Sequence, residues 1–351
     1  MNKLRYPEKR FLSSYDLSRE FFEKLGLEVI DIIPLRKVFI LQTESGKMVL
    51  KKIDYSSERL NFINTCVENI HEKLPNVMTF KNFDNNRIYI DWQGSSYILM
   101  DLLPGREVAF TNPLEYEMCG KLLAKMHVAS NECLDNILNE TGKLEKQALD
   151  DSLVIKFDNS LSDMKDIKRW LSSYKYFNEF DSIFIKQIDK YIEEIEKAKE
   201  LLSFSGYSSY RENMKNISVC HNDLAEHNFL ISDEELYLID FDYCSIDLRV
   251  VDLADLILKG IKNAGFDIDK ALSVIDAYNS ICPLDREEYK FLYILLLFPR
   301  DIYSIAKSYY HKEKNWEEDV FINRLKMKLA NEEFRREFLK EYKERYKEKF
   351  Y

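Results

Sequence analysis

Glycine is scarce in this chain, with 9 among 351 residues, and proline scarcer still with 7. That composition excludes collagen-like repeats, disorder and long flexible linkers, and it leaves no glycine-rich phosphate loop in view. The six cysteines stand at 66, 119, 133, 220, 244 and 282 without a C-x-x-C spacing, which excludes a zinc module and a small disulfide framework. Scattered thiols of this kind are expected in a reducing, intracellular compartment. Long apolar runs are lacking too. The greasiest stretch, Tyr293 to Phe298, is far too short to span a bilayer, and the opening MNKLRYPEKR never reaches an apolar run of signal-peptide length. The expectation is a cytoplasmic protein with no membrane partner. Positive charge is in deficit, the formal net charge being -10, so the chain repels a phosphate backbone and nucleic acid is excluded as a partner. An acidic chain steers a cationic small molecule more readily than an anionic one.

What is present is an ordered, globular composition, 46% hydrophobic and 32% charged. At a prior of roughly 150 residues per domain the length implies two folding units, or one enzyme with two lobes. Three short apolar runs, Leu27 to Ile33, Val38 to Thr43 and Lys47 to Ile53, predict an antiparallel sheet with a turn at Glu44-Ser-Gly46. Ser56 or Ser57 caps a helix carrying Leu60, Ile63, Val67 and Ile70 on one face. A second strand pair follows at Arg87 to Asp91 and Ser96 to Leu99, and Leu102-Leu-Pro-Gly105 then stops the sheet.

Beyond that linker the pattern is mostly helical. Asn112-Pro113 starts a helix expected to run to about Ser130, and further helix is expected from about Ser160 to Leu202 with a break near Phe177. Phe204 to Asn216 reads as loop. Small strands are expected at Ile217 to Cys220, Phe229 to Ile231 and Leu236 to Phe241, and helix throughout beyond Val251. Residues 331 to 351 mix seven Lys/Arg with six Glu around aromatics four apart, which predicts a docked terminal helix rather than a nucleic-acid arm. The fold class is α+β, with a small antiparallel-sheet lobe over residues 1–101, a hinge at 102–105 and a helical lobe over 106–351 that carries a loop region at 220–242.

The chemistry concentrates in that last region, Cys220-His-Asn-Asp-Leu-Ala-Glu-His-Asn228 followed by Ile239-Asp-Phe-Asp-Tyr243. Phosphoryl transfer from a nucleotide needs a carboxylate to position or deprotonate the acceptor hydroxyl. It also needs an amide oxygen and a second carboxylate to hold the metal on the phosphates. Asp223, Asn228 and Asp240 supply these types in the kinase order H-R-D-L-x-x-x-N then D-F-G, with Asn222 for Arg and Asp242 for Gly. ATP and Mg are the cofactors implied. His221 is expected to brace the loop, although His221 and His227 with Asp223 are also a conceivable metal set. Asp242 is a further candidate, placed by strand alternation on the same side as Asp240.

A kinase also needs a cation on the phosphates from the third strand, and Met48-Val-Leu-Lys51 fits, with Val49 on the same face to touch adenine. Lys52 is the runner-up for the cation, and Glu58 or Glu68 could hold Lys51 in place. Between the first two strands the chain reads Ile33-Pro-Leu-Arg-Lys-Val38 without glycine. Either Arg36 and Lys37 meet phosphate with their side chains, or they are a surface basic pair.

These residues together resemble the aminoglycoside phosphotransferase and choline kinase branch of the protein-kinase-like fold, and more narrowly the CotS family of spore-coat-associated kinase-like proteins. The resemblance is carried by Tyr97-Ile-Leu-Met-Asp-Leu-Leu-Pro-Gly-Arg-Glu107, Leu123-Ala-Lys-Met-His-Val-Ala-Ser130, Cys220-His-Asn-Asp223 with Asn228, and Ile239-Asp-Phe-Asp-Tyr-Cys244 continuing to Asp252-Leu-Ala254. It covers residues from about 27 to about 306 and implies a two-lobe phosphotransferase. By that resemblance Met100 precedes the hinge, and Asp101 and Leu103 present backbone groups to adenine. Asp223 is the catalytic base, Asn228 and Asp240 are metal ligands, and Asp252 is a buried acid that hydrogen-bonds the catalytic loop. The partners implied are a nucleotide, an unidentified small hydroxylated acceptor and other spore coat proteins, with incorporation in the coat as a second location. A catalytically inactive, kinase-shaped scaffold of the coat is the alternative.

Overall fold

The computed structural model describes residues 17–35, 38–83, 87–141 and 153–350. Arg36 and Lys37 lie outside the described residues, and so does the N-terminal decapeptide. The chain divides into two compact units, one reaching to Arg106 and taking in Leu230–Ile239, the other made of Glu107–Phe229 and Asp240 onward.

The first unit opens with a short helix α1 (Arg19–Lys24) and then β1 (Val29–Leu35), β2 (Val38–Thr43) and β3 (Gly46–Ile53). Helix α2 (Ser57–Lys73) follows, capped by Ser56, whose hydroxyl accepts the Arg59 N–H at 3.2 Å. Strands β4 (Ile90–Trp92) and β5 (Ser95–Asp101) complete a five-stranded antiparallel sheet in the order β1-β2-β3-β5-β4. The first strand extends two residues past its expected end and includes Pro34. Proline is admissible there because β1 is an edge strand and needs no second ladder donor. Alternation on β2 sends Phe39 and Leu41 into a core with Phe21, Leu50, Tyr97 and Leu99.

The second unit begins with α3 (Pro113–Thr141), whose start is fixed by the Asn112 side chain accepting the Leu114 N–H and by Glu115 accepting the Ala109 N–H. It runs well past Ser130 because Cys133, Leu134, Ile137 and Leu138 continue the buried face. Then come α4 (Leu153–Ser173), α5 (Glu179–Phe184), α6 (Ile188–Phe204) and a short α7 (Tyr207–Arg211) inside the stretch expected to be loop. Strand β6 (Ile217–Cys220) precedes β7 (Phe229–Ser232) and β8 (Glu235–Leu238), which carry the chain into and out of the first unit.

Strand β8 stops at Leu238 rather than Phe241. Asp240 has φ +66°, a backbone state that cannot continue a strand, so the alternation argument pairing Asp240 with Asp242 lapses. A strand not foreseen, β9 (Ser245–Leu248), pairs antiparallel with β6. The remaining helices are α8 (Val250–Ile261), α9 (Ile268–Asn279), α10 (Arg286–Leu297), α11 (Arg300–Tyr310), α12 (Glu318–Ala330), α13 (Glu332–Arg345) and α14 (Lys347–Phe350). In α13 the aromatic stripe docks through buried Phe338 and Tyr342, while Phe334 stays exposed. No described helix is long and apolar enough to cross a membrane.

Candidate active site

The loop 221–228 leaves β6, and β6 is pinned on two sides before the loop begins. Cys220 stands opposite Ser245 of β9, and the Val219 N–H donates to Ser130 Oγ on α3 at 2.6 Å. The loop backbone is then captured by side chains of α8. Asp252 accepts the His221 N–H through Oδ2 at 2.6 Å and the Asn222 N–H through Oδ1 at 2.7 Å. One helical turn further on, Asp255 Oδ2 accepts the Leu224 N–H at 2.8 Å. At the far end Glu226 Oε1 accepts the Phe110 N–H at 2.6 Å. Hydrogen bonds to ionised acceptors are the strong ones, so the loop is held by its amides rather than by surface packing.

Within this frame Asp223 is positioned by its neighbours. Its N–H donates to His221 Nδ1 at 3.2 Å, and the buried His221 ring packs on Phe241 with centroids 4.6 Å apart. Asn228, also buried, donates Nδ2 to the Asp223 carbonyl at 2.7 Å and to Asp223 Oδ2 at 3.2 Å. Asp223 Oδ1 is ion-paired with Lys259, which also pairs with Asp255 at 3.0 Å. Burial by itself raises the Asp223 pKa. The Lys259 hydrogen bond and charge, with smaller contributions from His221 and His227, outweigh it and hold the carboxyl below its ordinary value. Asp223 is therefore an anion at neutral pH.

Asn222 occupies the position where the kinase pattern has arginine. Its φ of +64° lies in the left-handed region that asparagine tolerates. Its Nδ2 donates to the Tyr243 carbonyl at 2.9 Å and to Ser245 Oγ at 2.8 Å, tying the loop to the start of β9. Asp240 is also left-handed, at φ +66°, and both it and Asp242 are half-buried. Backbone strain of this kind clusters at functional sites.

Asn228 spends its Nδ2 on Asp223, and no hydrogen bond to its Oδ1 is present among the described residues. An amide oxygen and the Asp240 carboxylate are hard oxygen donors of the type magnesium takes, so these residues fit the ion. A different trio, His127, Cys220 and Asp252, brings its ligating atoms within 4.8 Å of one another. It is already satisfied without an ion. His127 Nε2 lies 3.2 Å from Asp252 Oδ2 and Nδ1 lies 2.7 Å from the Tyr278 hydroxyl. The carboxylate can only accept, so Nε2 carries the proton and Nδ1 accepts from Tyr278.

In the first unit, Val49 of β3 lies directly opposite Met100 of β5, and Lys51 opposite Ile98. Both Val49 and Lys51 alternate with buried Leu50, and so occupy the other face of the sheet. Glu58 and Glu68, the two candidates to hold Lys51, both lie on α2. Both are exposed on α2, and neither makes an ion pair among the described residues. The side chain of Asp101 is paired with Lys81 at 2.7 Å, and Leu103 follows it in the non-strand segment 102–105. Gly105, at φ +115°, would put a Cβ 2.5 Å from the Ile231 carbonyl oxygen, so only glycine fits there.

Asp255 and Lys259 hold the Leu224 amide and the Asp223 carboxylate, His127 meets Asp252, and motif reading gave none of them a role. Their signal was available but weak: Asp252, Asp255 and Lys259 are three and four apart, hence on one face of a helix whose other residues are apolar.

A sheet unit and a helical unit, with an aspartate loop braced by a buried acid, define a protein-kinase-like fold. The aminoglycoside phosphotransferase of Alicyclobacillus acidocaldarius superposes with a TM-score of 0.77 at 17% identity, covering 93% of this chain and 95% of that one. Spectinomycin phosphotransferase, solved in complex with ADP and spectinomycin, superposes at 0.62 with 14% identity over 89% of this chain and 96% of its own. Residues 18–342 match the family described as "Spore coat putative kinase YutH", and the chain belongs to that family. It is 24% identical to spore coat protein S of Bacillus subtilis (strain 168) over 309 residues, 85% of this chain and 84% of that protein. The spore-coat kinase-like resemblance drawn from the motifs is thereby borne out, and so is the α+β, protein-kinase-like fold class.

Proposed function

We propose that this chain is an ATP- and Mg-dependent phosphotransferase acting on a hydroxyl of a small molecule, in association with the spore coat. The observation that carries the reading is the Asp223 carboxylate. It is kept ionised by Lys259 and oriented by Asn228, on a loop whose amides are fixed by Asp252 and Asp255. A carboxylate held in this way can accept a hydrogen bond from an acceptor hydroxyl and take its proton. The hydroxyl oxygen forms a bond to the γ-phosphorus, the bond from that phosphorus to the β,γ-bridging oxygen breaks, and ADP leaves with the electron pair. Magnesium, when bound, neutralises phosphate charge, and Asn228 and Asp240 would hold it. Lys51 would pair with the phosphates, Val49 and Met100 would flank adenine, and the backbone of Asp101 and Leu103 would meet its edge. His221 and Asp252 keep the loop in register, and Asp242 is a further candidate beside the metal.

A second reading, an inactive coat scaffold, has one observation in its favour. Leu35 pairs directly with Val38, so only two residues link β1 to β2 and neither is glycine. A main-chain cradle for a triphosphate needs more chain than that. The deciding experiment is a melting-temperature titration with ATP, with and without magnesium, on the native chain and on Asp240→Ala. A magnesium-dependent rise lost in the variant supports the enzyme. No rise at millimolar nucleotide favours the scaffold and turns the search to coat-protein partners.

A further inference from the structure

The second unit holds a cavity of about 410 Å³ lined by parts of α8, α11, α12 and α13 and by the segment that follows α8. Its size lies in the range of small-molecule sites. The charge on its wall is the reverse of the charge on the chain. Lys262, Arg300, Arg324, Lys328 and Arg335 line it, against two acids, Asp301 and Glu332. Three of these cations already have carboxylate partners: Arg300 with Asp255, Lys328 with Asp301, and Arg335 with Glu332 and Glu194. Lys262 and Arg324 have none among the described residues. Arg324 lies over the Trp316 ring, 4.1 Å from its centroid. Burial pushes the Lys262 ammonium below its ordinary pKa, Asp301 offsetting only part of that effect.

The cavity is also wired to the loop. Arg300 on its wall pairs with Asp255 at 2.5 Å, Asp255 pairs with Lys259, and Lys259 holds Asp223. Lys262 sits three residues beyond Lys259 on the same helical face, so it is the next cation along from the one that grips the carboxylate.

We propose that this cavity binds a small anion whose carboxylate or phosphate group is met by Lys262 and Arg324. The chain as a whole is acidic, but the local wall outweighs that because an ammonium without a carboxylate partner in a half-buried cavity is stabilised by an anion at short range.

The test is calorimetric titration of the full chain with glucose 6-phosphate, gluconate and inorganic phosphate, against glucose and ethanolamine, with Mg-ATP titrated separately on the same protein. Binding of a phosphate or carboxylate probe is expected, with glucose and ethanolamine much weaker, and whichever anion binds identifies the head group. Lys262→Met should weaken that binding roughly tenfold or more, the size expected when a charge-assisted hydrogen bond is lost. Lys262→Arg should retain it, and Mg-ATP binding should be unchanged in both. If Lys262→Met does not fold, Arg324→Gln at the exposed rim supplies the comparison. Equal binding of ethanolamine or glucose, an unchanged affinity in the charge-removing variants, or no anion binding at millimolar concentration overturns the assignment. Mg-ATP binding without anion binding sinks the cavity assignment alone. Anion binding without Mg-ATP binding leaves the anion site standing and sinks the phosphotransferase reading.

Discussion

Asp252 accepts the backbone N–H of Asn222 at 2.7 Å, and its other oxygen accepts that of His221 at 2.6 Å. One side chain, fully buried on α8, thereby fixes two successive peptides of the loop that carries Asp223. Asp252→Ala leaves two loop amides and the His127 ring without their acceptor. The expected cost is about 3 to 5 kcal/mol of stability, read as a lower midpoint in urea unfolding with an unchanged slope. A cost under about 0.5 kcal/mol would show that water replaces the carboxylate and that the loop does not depend on it.

Asp223 and Lys259 form an ion pair in which the lysine keeps the acid ionised. Asp223→Ala should lower turnover by about 10²- to 10⁴-fold while sparing ATP binding. Lys259→Met should act differently. With the ammonium gone the carboxyl pKa rises, so the acid limb of the pH profile of kcat/KM moves to higher pH. An acid limb unmoved by Lys259→Met would mean that some other group sets it.

His127 is buried, and burial holds its pKa below 6.5 despite the opposing pull of Asp252. The unfolded ring binds a proton as pH falls through 6.5 and the folded ring does not. Stability from this residue is therefore complete above that value and declines below it. His127→Gln is expected to be less stable at neutral pH but to show a shallower fall in unfolding free energy on mild acidification. Parallel pH curves for the two proteins would assign the acid sensitivity to other groups.

Gly105 combines φ +115° with a carbonyl oxygen 2.5 Å from where a Cβ would stand. Gly105→Ala should cost about 1 to 3 kcal/mol, visible as a lower melting temperature. Gly94→Ala, at φ +76° with open space around it, is the control for backbone strain alone. Equal losses in the two variants would remove the close approach from the explanation.

The parts of the fold that could be read in advance are those where local chemistry and tertiary environment agree. Strands β2 and β3 alternate cleanly because one sheet face is buried, and α2 announces itself through a serine cap and a regular apolar face. The end of α3 was misplaced because asparagine, glutamate and cysteine after Ser130 look polar in a window, although Cys133, Leu134, Ile137 and Leu138 keep the helical spacing. Strand β9 is only four residues long and includes Asp247, whose carboxylate is buried and paired with Arg211 at 3.2 Å. No sequence window contains that partner. The order Asp223, Asn228, Asp240 was legible because it follows the residue types and order of the kinase pattern. Asp255 and Lys259 were not, since a charged residue on a helix acquires its meaning only from the loop folded against it.

Residues 230–239 belong to the first unit, where buried Leu238 bridges to Val77 and its carbonyl accepts the Met78 N–H at 3.1 Å. The unit that contains Lys51 is therefore not a contiguous stretch of sequence, and the chain passes between the units three times, after Arg106, Phe229 and Ile239. During synthesis the amino-terminal unit lacks a hairpin until Ile239 has emerged, more than a third of the protein after Arg106. Its last strands must then close over a loop of more than a hundred residues, a long-range step of the kind that slows folding. A gene fragment ending at the linker would encode the five-stranded sheet without the hairpin that completes its unit.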